Sequence, residues 1–172
     1  LFVLTAATLV MTLGTHAWLG IALNQISRLG PLVVFVIALA DGIHVVSVYA
    51  QELNKGLSKT AAMAQSLKIN MRPVSLATVT TTMGFLSLNY CSSPAIYGFG
   101  NIIAIGVIWA FVLTFTLLPG LILLLPMDKV PKPLAVGGFI GWITRLVEAR
   151  HSKLYWGGWV LIIGTLALLP LN

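Results

Sequence analysis

Asp41 is the residue whose setting could do chemistry. It stands alone as an acid in the apolar run 31–50, and an aspartate at the centre of a membrane helix costs about 2.5–3.5 kcal/mol to insert. It follows Pro31 by ten residues, which is about 15 Å into a hydrocarbon core roughly 30 Å thick. That depth is the midplane. His44 comes one helical turn later on the same face. Drying disfavours a charged carboxylate and a nearby cation favours it, whereas histidine titrates near neutrality unaided. An acid and a base one turn apart can therefore take up and release protons as their surroundings alternate between dry and wet. The plainer alternative is an Asp that only bonds a hydroxyl or a cation on another helix, beside a His that bonds across an interface.

A second group of candidates is hydroxylic. Thr78, Thr80, Thr81 and Thr82 precede Gly84, and threonine hydroxyls bond either the preceding turn or a neighbouring helix. Facing Asp41, the hydroxyls of Thr78, Thr81 and Thr82 would make a relay. The competing explanation is packing, since small residues let membrane helices approach closely. Packing is the direct explanation for Gly84, for Gly100 beside Ala104, and for Gly106, Ala110 and Thr114 at four-residue spacing. His16 and His151 sit at interface level and receive no role. The sequence holds no nucleophile–base pair, no phosphate-cradling loop and no metal cluster. Its single cysteine, Cys91, excludes an internal disulfide. No metal or cofactor is expected, and the proton is the expected coupling ion.

The elements that must position these residues follow from composition. Of 172 residues, 58% are hydrophobic and 8% charged, against roughly 25% charged in a soluble domain. So few charges cannot cover a water-facing surface, and the bilayer must be the solvent. The fold class is all-α integral membrane, a polytopic helix bundle. Spans are expected at about 1–23, 31–50, 73–88 and 95–125, the last two divided by the polar turn Asn89–Pro94, with a fifth over 154–172. Both ends lie in apolar runs, so the sequence reads as a piece of a longer protein whose fifth span is truncated.

The charges orient the spans. Net charge is +6, yet no basic patch interleaved with aromatics points to nucleic acid. Every cation but Arg28 falls in 51–72 or 127–153, and the positive-inside rule makes those two loops cytoplasmic. The first loop is expected to hold a helix capped by Ser58 that ends before Pro73. The second is a linker with an amphipathic helix over 136–147, lying flat on the inner membrane face or docked under the bundle.

Taken together, Ala40-Asp41-Gly42-Ile43-His44, Arg72-Pro73, Thr80 through Leu88, Gly98 through Gly106 and Leu117-Leu118-Pro119 resemble the resistance–nodulation–division (RND) superfamily, in particular its MMPL-like exporter branch. The related sterol-sensing domain has the same helices. The resemblance implies that the spans are equivalent to helices three to seven of a twelve-helix RND-type transporter, with Asp41 at the family's proton-relay acid on the fourth helix. Many relatives place two adjacent acids there, whereas Gly42 follows Asp41 here and His44 is the candidate substitute. The remaining helices and the extracytoplasmic domains would be its partners within the full-length protein. The other expected partners are the bilayer and a hydrophobic or lipid-like substrate, and a homo-oligomer is compatible.

The function expected is proton-driven secondary export from the cell (inner) membrane, with no enzymatic step. Two alternatives share these helices: a sterol-sensing or lipid-binding regulatory module that does not pump, and a protein-translocation accessory of the same superfamily.

Overall fold

The computed structural model describes residues 1–21 and 23–124, together with Glu148 and residues 155–157, 159–160 and 163–164. The chain divides into two compact units, Leu1–Val130 and Pro131–Asn172. In the second unit Tyr155 stacks edge-on with Trp156 and Trp159, ring centroids 5.9 and 6.4 Å apart. The flat helix expected over 136–147 and most of the expected fifth span lie outside the described residues.

In the first unit the described residues form four α-helices: α1 (Phe2–Trp18), α2 (Gly30–Asn54), α3 (Lys59–Leu86) and α4 (Pro94–Leu124). Local chemistry accounts for their ends. α1 gives way at Gly20, whose φ of 68 few other residues adopt. In the next turn Asn24 Oδ1 accepts from the backbone N–H of Ile26 and Ser27, and Asn24 Nδ2 reaches Pro94 O at 3.2 Å, clipping the start of α2 to the start of α4. Pro31 occupies the first turn of α2, where its missing N–H has no partner to lose. α2 ends at Gly56, φ 91, and Ser58 caps α3 as expected, accepting from Ala61 N. A 3₁₀ turn, Ser87–Tyr90, leads into the expected polar turn.

One boundary differs from expectation. The helix begun at Ser58 does not stop before Pro73 but runs through it to Leu86. A proline deletes one i→i−4 bond, that to Ile69 O, and in a long packed helix the neighbouring bonds hold the course. The first half of α3 carries Lys68 and Arg72, so its apolar part is only the half after Pro73. By length and composition Ser27–Asn54 and Pro94–Leu124 can each cross a membrane, and Phe2–Trp18 is apolar but shorter. At 1.5 Å per residue, the 25 residues of α2 extend about 37 Å and the 31 of α4 about 46 Å.

α2 lies between α1 and α3, and α4 packs across all three. Small residues set the spacing. A Cβ on Gly106 would fall inside the Val34 side chain, and one on Gly100 would strike Phe85 O. Ala110 is fully buried. At Gly84, where a packing role was expected, a Cβ meets nothing within 4 Å among the described residues, because Gly84 lies on the exposed face of α3 while Phe85 beside it turns to α4. Leu4, Val45, Tyr49, Ala62, Met63 and Leu118 form one core cluster, and Ile102, Ile103 and Val107 another.

Burial in α1 runs opposite to a soluble helix. Its inward face is Leu4, Thr5, Thr8, Thr12 and His16, while Phe2 and Val10 face out at 82% and 69% exposure. The hydroxyls of Thr8 and Thr12 donate back to Leu4 O and Thr8 O, so they enter the bundle already satisfied. Bulky apolar groups outside and small self-satisfied polar groups inside suit a bundle whose solvent is lipid.

Candidate functional site

The α2 face turned to the bundle is Val34, Ala38, Gly42, Val45 and Tyr49, recurring at helical spacing. Asp41 and His44 sit just off that stripe, on the seam with α3. Together with Ala40 they form the α2 wall of a cavity of about 290 Å³ whose α3 wall is Asn70, Pro73, Val74 and Ala77. Asp41 is half-buried and His44 is exposed. Asp41 makes no hydrogen bond among the described residues, so its carboxyl is free to face the cavity contents. The turn that presents it is crowded behind: a Cβ at Gly42 would come within 2.7 Å of Leu1 Cδ2 and 2.9 Å of Leu4 Cδ2. A side chain at position 42 would therefore have to displace the ends of these two leucines.

α3 brings two buried polar side chains to this region, Asn70 in the cavity wall and Ser66 one turn before it. Ser66, fully buried, donates through Oγ to Val45 O at 2.7 Å and ties α3 to α2 one residue past His44. Asn70, 6% exposed, donates through Nδ2 to Ser66 O at 2.9 Å, and its Oδ1 makes no hydrogen bond among the described residues. Pro73 leaves Ile69 O without its helical donor. A carboxyl, an imidazole and an amide thus gather where polar α3 gives way to apolar α3. Among the described residues no group of three or more His, Cys, Asp or Glu side chains comes together to hold a metal.

The cavity brings together Asp41 and His44 of the expected site residues. Thr78, Thr81 and Thr82 do not line it. Thr78 donates to Val74 O at 2.9 Å, and Thr82 Oγ1 is buried without a partner among the described residues. Ser66 and Asn70 were missed by sequence reasoning. Their signal was the spacing Ala62, Ser66, Asn70, small or polar every four residues, in a stretch assigned to a loop. His16 was missed too. It is 1% exposed, on the inward face of α1, and its Nε2 has no partner among the described residues. The four-residue spacing of Thr8, Thr12 and His16 was the available clue. Beside it Trp109 Nε1 donates to Thr15 Oγ1 at 2.9 Å, joining α4 to α1.

Comparison with known proteins places the sequence in a family. The model of the MMPL family matches residues 1–154. The hopanoid transporter HpnN of Rhodopseudomonas palustris is 29% identical over 167 residues, covering 95% of this chain and 18% of that protein. MJ1562 of Methanocaldococcus jannaschii, named as a membrane protein, is 32% identical over 83 residues, which is 48% of this chain and 21% of that protein. The chain spans about a fifth of the length of these curated relatives. No solved structure matches it. The matched residues take in all four helices and both walls of the Asp41 cavity, and the chain belongs to the MMPL family.

Proposed function

We propose that this chain is part of the membrane core of a secondary exporter that moves a hydrophobic or lipid-like substrate, driven by protons that Asp41 carries. The observation that carries the reading is the cavity: the only acid in α2 before its inner end opens, with His44, onto an α3 wall that carries the amide of Asn70, inside helices whose outward faces are apolar. A carboxyl at that position has an insertion penalty, and proton exchange gives it a use. The hopanoid substrate of HpnN supports the lipid-like substrate class. In this reading the helices correspond to three to seven of twelve. Loops 51–72 and 127–153 face the cytoplasm of a cell (inner) membrane, and the remaining helices and extracytoplasmic domains complete the transporter.

The test uses the full-length protein in proteoliposomes. Asp41→Asn removes the titrating group with little change of shape, and Asp41→Glu keeps it. Proton-gradient-driven substrate movement should fall at least tenfold in the first and survive in the second. Equal transport by the Asn variant and the wild type would eliminate Asp41 as the carrier, and would leave a lipid-binding module that does not pump as the better account.

A further inference from the structure

Asp41 must be accommodated in two forms with opposite hydrogen-bonding needs. Ionised, a carboxylate only accepts; protonated, it also donates. A cavity wall lined by donors alone or acceptors alone would favour one form and hold the carrier there. The α3 wall offers one side chain able to serve both, because an amide carries two N–H donors and a carbonyl acceptor. That side chain is Asn70.

From the structure we infer that Asn70 is the positioning residue that lets Asp41 change protonation within the membrane, presenting Nδ2 to the carboxylate and Oδ1 to the neutral acid, directly or through one water. This inference rests on the proton-carrier reading of Asp41. Three observations support it. Asn70 is 6% exposed and lines the same cavity as Asp41. Its Nδ2 donates to Ser66 O at 2.9 Å and only at 3.5 Å to Ser66 Oγ, and Oδ1 makes no hydrogen bond among the described residues. Ser66 anchors the arrangement, because its hydroxyl holds α3 against Val45 O of α2 at 2.7 Å, one turn from Asn70.

Other groups do not compete for this role. On α2, His44 lines the cavity and is the only other titratable group in its wall. On α3 the cations Lys68 and Arg72 line the opposite side of the helix, in a separate concavity with Gln65 and Ile69. On α1, the residues that approach the Asp41 turn are Leu1 and Leu4. Its one titratable side chain, His16, lies three turns further along. α4 carries no Asp, Glu, Lys, Arg or His. The proton itself goes from water to the Asp41 carboxylate and back to water; Asn70 neither gains nor loses one.

The experiment compares full-length wild type, Asn70→Leu and Asn70→Ser in proteoliposomes, with Asn70→Ala in place of the leucine variant if that does not fold. Two quantities are read: the infrared carbonyl signal of the protonated carboxyl that Asp41→Asn abolishes, followed against pH, and proton-driven substrate transport. A charge-assisted hydrogen bond is the stronger of the two that Asn70 makes, so its loss harms the ionised form more. In Asn70→Leu the protonated-carboxyl signal should persist to a pH at least one unit higher, and transport should fall about tenfold or more. Serine, a donor and an acceptor, should keep both within about threefold and half a unit of wild type. An unmoved titration in Asn70→Leu, or a serine variant as impaired as the leucine variant, overturns the role of Asn70 and leaves Asp41 as carrier. A wild-type protein with no Asp41-dependent signal overturns both.

Discussion

Gly106 and Val34 make the contact on which the position of α2 depends, and its removal has a calculable consequence. A Cβ built on Gly106 lies 2.7 Å from Val34 Cγ1 and 3.0 Å from Val34 Cβ, with Cγ2 closer still. Carbon atoms pack at about 3.5–4.0 Å. Gly106→Ala therefore requires α2 and α4 to part by about 1 Å at this level, or Val34 to leave its rotamer. Overpacking of this kind costs about 1–3 kcal/mol, roughly a 5- to 150-fold shift in the unfolding equilibrium. Val34→Ala removes both Cγ atoms and leaves only the 3.0 Å Cβ contact, so it should relieve most of that strain. Alone it should destabilise by about 1 kcal/mol, since it empties space around a fully buried side chain. The double variant should then be more stable than the sum of the single changes by at least about 1 kcal/mol. Reversible unfolding of the full-length protein in mixed micelles measures all three. Additivity within about 0.5 kcal/mol would refute the Gly106–Val34 contact and with it the placement of α2 against α4.

Two further outcomes follow from particular contacts. Ser66→Ala removes the hydroxyl that joins α3 to Val45 O. Interhelical bonds of this kind contribute about 0.6 to 1.7 kcal/mol in membranes, so unfolding of the variant should shift by that amount, and no shift would mean that the seam is held by packing alone. Cys91 is exposed in the turn between α3 and α4, on the extracytoplasmic side in the proposed orientation. In a background free of other cysteines, a membrane-impermeant maleimide should label it in intact cells, while Lys55→Cys in a Cys91→Ser background should react only after permeabilisation. The reverse pattern would invert the topology.

How much of this was legible in the sequence depends on whether the cause was local. The start of α2 at Pro31, the Ser58 cap, the polar turn around Cys91 and the Asp41–His44 pair each depend on a few adjacent residues, and all four were readable. Gly106 and Ala110 were readable as packing residues from their spacing, although the partner, Val34, was not. Pro73 misled because proline ends helices in water, whereas here the chain on either side is helical and packed, and only the bond to Ile69 O is lost. Asn70 and Ser66 stayed hidden because cations surround them in sequence. Their inward stripe is defined only once α2 supplies the opposing wall. The burial of His16 stayed hidden because its position near the end of the span gives depth alone, whereas the inward face of α1 is set by α2 and α4 packing on it.

The central claim is that Asp41 binds and releases the proton that drives transport. Its most direct test is the proton movement itself, recorded with an entrapped pH dye in proteoliposomes of the full-length protein as a hydrophobic substrate is moved down its own gradient. The account predicts a proton flux opposite to the substrate in wild type and Asp41→Glu. In Asp41→Asn that flux should be absent while substrate still binds. Substrate-dependent proton flux of wild-type size in Asp41→Asn would contradict it.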